Sequence, residues 1–335
     1  MTAWPSTAAP PVTPWRSLVA PYHQPDSKLA LWQVSTSFLP YIALWYMMVR
    51  SLEISYGLTL GLAVLAAGFL VRVFIVLHDC GHGSFLRSRR WNDAFGFVGG
   101  VLSFTPYHYW RHTHAIHHAT AGNLDRRGVG DIWTMTMREY REASPWCRLR
   151  FRLYRNPFCL FLVGPVFVVL IKNRFAGAKF GWRWQRSVLW ANLAMLGLGV
   201  ALSLALGVQS YVLIQLPVLI FSTAFGVWLF YVQHQFEGVS WQRQQHWDHF
   251  TTAMRGSSYY ALPKVLQWFS GNIGFHHIHH LSPRIPNYFL ERCHRENPLL
   301  QKATKLRLFT SLRSIRYRVW DEERNRLVGL GLPWL

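Results

Sequence analysis

Residues 56–82 read YGLTLGLAVLAAGFLVRVFIVLHDCGH, an apolar run that ends directly in two histidines. A helix needs about 20 apolar residues to cross the hydrocarbon core of a bilayer, and residues 56–77 meet that length. The only charged residue before the histidines is Arg72, which lies near the end of the run, where its long side chain can reach the membrane surface. His78 and His82 are four residues apart and therefore share one helix face. The stretch predicts a transmembrane helix that presents a histidine pair just outside the bilayer.

Three further apolar runs are long enough to cross a bilayer: residues 31–48, 188–206 and 211–232. The four runs form two hairpins, because the linkers 49–55 and 207–210 are short and nearly uncharged. The segments after residues 77 and 232 are long and rich in Arg, so the positive-inside rule assigns them to the cytoplasm. We therefore predict an all-α integral membrane protein with four transmembrane helices in two hairpins and both termini in the cytoplasm.

Two shorter apolar runs, residues 94–104 and 158–171, fall below the length of a span. We expect both to lie in the membrane interface or to re-enter the membrane. Packing inside a soluble core is the alternative for both runs. They are therefore not counted among the predicted spans.

The sequence divides into three parts: a flexible cytoplasmic segment at residues 1–30, a membrane domain at 31–294, and a basic cytoplasmic or interfacial segment at 295–335. Within the last part, residues 302–324 alternate apolar with basic residues. We interpret this stretch as a helix lying on the membrane surface. A solvated, charged helix is the alternative.

Composition excludes several classes of protein. Of the 335 residues, 51% are hydrophobic and 16% aromatic, which does not fit an ordinary soluble enzyme. The net charge of +20 fits basic segments against anionic membrane lipids. Nucleic acid is excluded as a partner because the apolar runs are too long and no nucleic-acid motif is present.

The four cysteines have no CxxC spacing, so neither a thiolate zinc site nor a disulfide framework is predicted.

Histidines cluster in three boxes, each just beyond a predicted span or in a helix that follows one. His78 and His82 form HxxxH, and HxxHH occurs twice, at His114, His117 and His118 and at His276, His279 and His280. With 16 histidines in 335 residues, three given positions are all histidine by chance with a probability of about 10⁻⁴. An even number of predicted crossings separates the boxes, so all three should converge on the cytoplasmic side.

Eight or nine imidazoles are too many for one metal ion, so the boxes predict a dinuclear site. The ligand type alone does not select the metal, since the affinity order favours copper or zinc. His234 is the candidate ninth ligand because it follows the fourth predicted span as His78 follows the second. Asp79, Asp125 and Glu237 are candidates to hold imidazole N–H groups, with a plain surface carboxylate as the alternative for each.

The other histidines are expected to play lesser parts. His277 adjoins the third box but is off its pattern, as His108 and His112 are for the second, and we expect outer-sphere or surface roles for them. His23, His246, His249 and His294 are expected to be hydrogen-bonded surface residues. The stretch QHWDH at residues 245–249 is richer in histidine than expected.

Four strings carry a resemblance to a known family: HDCGHGSF from His78, WRHTHAIHHATAGNLDR from Trp110, YVQHQFEGVSW from Tyr231, and GSSYYALPKVLQWFSGNIGFHHIHHLSPRIPNY from Gly256. With these boxes in this order, the chain resembles the membrane fatty acid desaturases, in particular the bacterial and plant Δ12 (ω6) acyl-lipid branch. The resemblance implies two non-haem iron ions (Fe2+) held by the eight boxed histidines and His234. It also implies a cytoplasmic helical cap that carries the three boxes, in a protein of the bacterial inner membrane. O2 is the implied co-substrate, and ferredoxin or a cytochrome b5-type protein is the implied electron donor.

Desaturation is the function that this pattern favours, on an acyl lipid or acyl thioester. An unactivated methylene C–H bond resists side-chain acid–base chemistry, so oxygen chemistry at a metal is needed. No GxGxxG motif is present, so the reducing equivalents must come from another protein. A fatty acyl or alkyl hydroxylase on the same scaffold is the first alternative. A non-catalytic metal-binding or transport protein is the second, disfavoured because transporters place ionisable ligands within their spans.

Overall fold

The computed structural model describes residues 15–177 and 180–330. The first half of the expected flexible N-terminal segment, residues 1–14, lies outside the described residues. From the N-terminus, the α-helices are α1 (Trp15–Val19), α2 (Ser27–Ser51), α3 (Tyr56–His82), α4 (Arg89–Leu102), α5 (Tyr107–Thr120), α6 (Met137–Glu142), α7 (Pro145–Tyr154) and α8 (Gly164–Leu170). They continue with α9 (Trp182–Leu206), α10 (Val208–His234), α11 (His249–Gly256), α12 (Lys264–Phe269), α13 (His276–Leu281), α14 (Asn287–Glu296) and α15 (Leu308–Ser311).

Helix α3 is central to the membrane part of the fold. It begins after Ser55, whose side chain accepts a hydrogen bond from the Gly57 N–H, and it ends at Gly83, where φ is +70°. Between these caps it packs against both α2 and α10. Ala63 and Ala66 are fully buried in this contact. Such small side chains let helix backbones approach closely where there is no water to drive association.

Three of the described helices, α3, α9 and α10, are long and apolar enough to cross a membrane. They confirm three of the four predicted spans. Helix α2 covers the first predicted span, but Gln33, Thr36 and Ser37 make it less apolar, so a fourth span is not confirmed. The helical segments Pro145–Tyr154 and Cys159–Arg174 meet at 66° and form either a broken span or a re-entrant loop.

Helices α4 and α5 fold back beside α3 and bring the second histidine box to the first. Tyr107 at the start of α5 donates a hydrogen bond to the Cys80 carbonyl, at 2.9 Å. A Cβ on Gly96 would lie only 2.3 Å from the Tyr107 ring, so α4 needs glycine at this crossing. The apolar run at residues 94–104, which was not counted as a span, packs as part of α4 against α3 and α5.

The all-α prediction is wrong in one respect, because the described residues also form short strands. They are β1 (Met135–Thr136), β2 (Tyr259–Ala261), β3 (Lys305–Arg307), β4 (Val319–Asp321) and β5 (Arg326–Val328). The strand orders are β1-β4-β5 and β2-β3.

The predicted surface helix at residues 302–324 is also wrong. Three of these strands fall at residues 305–328, and the only α-helix there is the single turn α15. The physical reason is that alternation of apolar with charged residues has a period of two, which suits a strand better than a helix. The hairpin β4–β5 turns through Asn325, whose φ is +47°. Pairing of β3 with β2 and of β4 with β1 ties the C-terminal segment to the rest of the chain.

Candidate metal centre

Histidines from three helices meet at the C-terminal end of α3 in what we call the five-histidine group: His78, His82, His114, His118 and His279. One ring nitrogen from each lies within 4.8 Å of the corresponding nitrogens of the others. Helices α3 and α5 each supply a pair at i and i+4, which face the same way. Helix α13 supplies the fifth imidazole.

A second group lies beside the first. His117, His234 and His280 meet the same distance criterion, and all three are buried. His276 joins them because its Nε2 lies 2.9 Å from Nε2 of His234. We call these residues the four-histidine group. His234 is the last residue of α10, so the end of a second long helix reaches the site.

The HxxHH pattern explains how the two groups become neighbours. Adjacent residues on a helix point about 100° apart, and each doubled histidine divides between the groups. His118 belongs to one group and His117 to the other, and His279 and His280 divide in the same way. The rings of His118 and His280 stack across the boundary, with centroids 4.2 Å apart and planes at 18°. The arrangement suits two metal ions side by side.

Nitrogen spacing provides a test of whether metal ions fit. The Nε2–Nε2 distances are 3.1 Å for His114–His118, 3.0 Å for His118–His279 and 2.9 Å for His234–His276. Two nitrogens bound to one ion at right angles, each about 2.1 Å away, are about 3 Å apart. The Nε2 atoms of His82, His117 and His280 are buried and have no hydrogen-bond partner among the described residues. A metal ion in each group would satisfy these otherwise costly atoms.

One histidine of each group donates its other ring N–H to a carboxylate. His78 Nδ1 lies 2.9 Å from Asp79 Oδ1, and His117 Nδ1 lies 2.7 Å from Asp131 Oδ1. Such a bond fixes the tautomer and leaves Nε2 free to bind metal. Asp79 is itself held by Asn287, whose backbone N–H and side-chain amide donate to Oδ2 at 2.6 and 2.8 Å.

Asp131 was not predicted from the sequence. It follows His117 by 14 positions, in a loop without helical periodicity, and its Oδ2 accepts a hydrogen bond from the Gly128 N–H. Gly130 has φ +77°, and a Cβ there would lie 3.1 Å from Cβ of His117. The glycine pair of the sequence Gly128-Val-Gly130-Asp131 was therefore the available signal. The two glycines mark a loop whose backbone must approach a metal-ligand candidate, His117, closely.

Burial determines the protonation state of the boxed histidines. Desolvation holds the pKa values of His114, His118 and His279 well below the ordinary histidine value, and neighbouring imidazoles add to this shift. His276 and His280 shift in the same direction for the same causes. These side chains are therefore neutral near pH 7, which is the form that binds metals.

Three other predicted outer-sphere residues lie away from the two groups. Asp125 pairs with Arg243 at 2.6 Å and accepts a hydrogen bond from the Gln244 N–H. Glu237 is exposed, and burial together with the Glu237 carboxylate raises the pKa of the neighbouring Tyr317. His277 is fully buried, but on the other face of α13, where its ring lies 5.4 Å from that of His294. Asp79 is thus the one predicted carboxylate that contacts a boxed histidine.

The remaining histidines also lie outside both groups. Several are engaged elsewhere: His23 with Ser282, His112 with Trp184, His249 with the Leu281 carbonyl, and His294 with Tyr259. His246 is exposed. His294 is half-buried rather than fully exposed, because α14 packs its ring against Tyr259 and Phe275.

Comparison with known proteins bears on the same region. Residues 55–310 match the family model described as fatty acid desaturase. A "Fatty acid desaturase" of Bacillus subtilis (strain 168) is 48% identical over 312 residues, covering 93% of this chain and 88% of the relative. An "sn-1 oleoyl-lipid 12-desaturase" of Synechocystis sp. is 28% identical, covering 70% and 68%. An "sn-1 acyl-lipid omega-3 desaturase (ferredoxin)" of the same organism is also 28% identical, covering 66% and 62%.

Family membership follows from these matches and accords with the residues already described. The matched segment spans all three boxes, His234 and both histidine groups. The resemblance inferred from the sequence is confirmed, and the chain is an oxidoreductase. It belongs to the fatty acid desaturase family.

Proposed function

We propose that this chain is an O2-dependent di-iron desaturase that introduces a double bond into the acyl chain of a membrane lipid. The observation that carries the proposal is the division of nine histidines into two adjacent groups. Five imidazoles would hold one iron and four the other. Bound irons would supply the activation of O2, which side chains alone do not provide.

The protein's own residues orient the ligands and exclude water. Asp79 and Asp131 each hold an imidazole N–H, so that the opposite ring nitrogen faces the metal position. Trp110 stacks on His114 with ring centroids 4.5 Å apart, and its other contacts include Phe74 at 5.4 Å. These rings form an apolar wall beside the five-histidine group, which would keep water from the reacting carbon.

We propose the Δ12 (ω6) position and an acyl-lipid substrate, with ferredoxin or a cytochrome b5-type protein as electron donor. Support for the position is the 28% identity to the cyanobacterial 12-desaturase, and the same identity to the omega-3 desaturase makes product analysis the deciding test. The latter relative's name specifies ferredoxin. An acyl thioester is the alternative substrate.

We further propose that the site and both termini face the cytoplasm of a bacterial inner membrane. The ends of α3 and α10 contribute to one site, so the chain between α3 and α9 begins and ends on one side of the bilayer. The two helical segments within residues 145–174, which meet at 66°, would then form a re-entrant loop. Reporter fusions at Gly83, Lys172 and Leu335 should all report the cytoplasm, and a periplasmic signal at Leu335 would overturn this topology.

Expression in a host of known lipid composition, followed by gas chromatography–mass spectrometry of total fatty acids, tests the function. We expect a new double bond at Δ12, formed only in the presence of O2. A hydroxylated product would favour the hydroxylase. Unchanged fatty acids, with the protein in the membrane and loaded with metal, would favour a non-catalytic metal-binding protein. A double bond at another position would overturn the Δ12 assignment alone.

A further inference from the structure

A basic stretch without acidic residues connects α14 to the hairpin β4–β5. Residues 297–320 contain six Lys or Arg and no Asp or Glu. Four of these cations are exposed: Lys305, Arg307, Arg313 and Arg316. In the described part of the chain, none of the four forms an ion pair with a carboxylate. Their charge is therefore available to an external anionic partner.

Two apolar side chains project among these cations, from what we call the basic segment, residues 305–316. The segment consists of β3, α15 and the 3-10 turn that follows α15. Phe309 is 81% exposed and Leu312 is 56% exposed. They are three residues apart on a helical turn and are therefore neighbours on its surface. The inner side is closed, because Ser311 and Ser314 are buried.

The direction of the strands brings the basic segment to the membrane. Strand β2 leads into α12, where Phe269 packs on Gly68 of α3, and a Cβ added to Gly68 would lie 3.1 Å from the Phe269 ring. Gly68 precedes His78 by ten residues, so this contact lies about 15 Å farther into the span. Strand β2 therefore runs toward the bilayer. Strand β3 is parallel to β2, so it runs the same way and delivers α15 to the membrane side.

Hydrogen bonds hold the inner side of the basic segment against the end of α10. Ser311 Oγ lies 3.0 Å from the Tyr260 hydroxyl oxygen, which also accepts a hydrogen bond from Trp228 Nε1 at 3.2 Å. Trp228 lies six residues, or about 9 Å of helix, before the end of α10 at His234. Tryptophan is typical of the level at which a span meets the lipid headgroups. The exposed side chain of Phe309 therefore projects at the level of the bilayer interface.

We infer that the basic segment inserts Phe309 and Leu312 into the leaflet on the histidine side of the bilayer, with its exposed cations at the level of anionic lipid phosphates. Burial of the apolar groups and attraction to the headgroups add together at such an interface. An acidic protein is the rival partner for the cations, but the depth of Ser311 beside Trp228 and the exposure of Phe309 favour lipid. The contact expected of a surface helix is thus made by two short turns.

The test uses the full chain with a photocrosslinking analogue of phenylalanine in place of Phe309. The chain is placed in nanodiscs with equal amounts of phosphatidylglycerol and phosphatidylcholine that carry the same acyl chains, and mass spectrometry identifies the crosslinked partner. We expect lipid adducts in which phosphatidylglycerol exceeds phosphatidylcholine about fivefold. The same analogue in place of Leu196, which is exposed on α9, should give lipid adducts without a preference. In place of the exposed His246 it should give no lipid adduct.

Charge variants with a matched control test the cations. Arg313→Gln combined with Arg316→Gln should bring the two lipid adducts at position 309 close to equality, whereas Arg313→Lys combined with Arg316→Lys should keep the preference. Arg324→Gln combined with Arg326→Gln removes the same charge from the hairpin β4–β5 and should leave the preference unchanged. All four arginines are exposed, so thermal unfolding in detergent should be the same in every variant.

Several results would overturn the inference. They are the absence of lipid adducts at position 309, a crosslink from that position to another part of the chain, and equal adducts of the two lipids in the chain with all its arginines. A crosslink to added ferredoxin in place of lipid would assign the basic segment to an acidic protein partner and would overturn it too. None of these measurements depends on bound metal or on desaturation, so their outcome is independent of the proposed function.

Discussion

The five-histidine group contains two i,i+4 pairs, whereas the four-histidine group contains one, His276 and His280, and otherwise depends on a loop and on the end of a long helix. His78 with His82, and His114 with His118, are i,i+4 pairs, so regular α-helix brings each pair to one face. His117 instead relies on the loop that carries Asp131, and His234 is the last residue of α10. We therefore expect the four-histidine group to be the more sensitive to changes outside its ligands.

The end of α10 shows the same dependence on tertiary contacts. Arg155 is 2% exposed and donates hydrogen bonds to Gln235 Oε1 at 3.0 Å and to the Tyr317 carbonyl at 2.7 Å. Its guanidinium also reaches the Tyr231 hydroxyl, at 3.3 Å. These contacts fix the residues on both sides of His234. The four-histidine group is thus held by segments far apart in sequence, including the C-terminal one.

The largest expected effect comes from removing one ligand of each group. His234→Ala and His279→Ala should both abolish desaturation, since each would open a coordination position at one of the two proposed irons. Product double bonds are measured by gas chromatography of total fatty acids, at equal membrane expression of each variant. Near wild-type activity of His234→Ala would remove that residue from the ligand set.

Replacing the carboxylates should have the next largest effect. Asp131→Asn and Asp79→Asn should each lower activity by about 10–100-fold, because the imidazole they orient loses its charged acceptor. Asp131→Asn should reduce the metal content more than Asp79→Asn. Asp79 is held within helix α3, whereas Asp131 lies in a loop. Asp125→Asn is the control and should leave both activity and metal content unchanged. Equal effects of Asp131→Asn and Asp125→Asn would contradict the role of Asp131.

The loop itself can be tested with two glycines. Gly130→Ala and Gly128→Ala both place a side chain at positive φ, at a cost on the order of 1 kcal/mol in the free energy of unfolding. Only the Cβ at position 130 crowds His117; at position 128 it would meet open space. The temperature of thermal unfolding should therefore fall by a similar amount in both variants, but the iron content should fall only in Gly130→Ala. Iron loss in both would assign the effect to loop strain alone.

The smallest effects are expected at histidines outside both groups. His246→Ala should be close to wild type because the side chain is exposed. His294→Ala should lose some thermal stability, since its ring packs against Tyr259 and Phe275, but should keep substantial activity. Fatty acid analysis and thermal unfolding check both variants. An inactive His246→Ala would bring the stretch at residues 245–249 into the site.

Periodic features were the ones that could be predicted from the sequence. The box spacings predicted which histidines share a helix face, and the apolar runs predicted α3, α9 and α10. The position of His234 after its span predicted that it would approach the boxes, and the structure places it beside His276. These features depend on neighbours within a few turns of one helix.

Features that depend on tertiary contacts were missed or misread. Asp131 meets His117 through a loop that no periodicity marks, and Asp125 and Glu237 were chosen only for their nearness to histidines in sequence. The strands at residues 305–328 were misread because an alternation of period two was assigned to a helix. The polar residues Gln33 and Ser37 of α2 are buried against neighbouring helices, and a count of apolar residues does not reveal that contact.

The central claim is that each histidine group holds one iron. The most direct measurement is metal analysis by inductively coupled plasma mass spectrometry on protein purified from iron-replete cells, combined with Mössbauer spectroscopy of the 57Fe-loaded chain. We predict about two irons per chain, in two distinguishable environments, because nine imidazoles exceed what one ion can bind. Reproducible zinc at about one ion per chain, with no iron and no desaturation, would contradict the account.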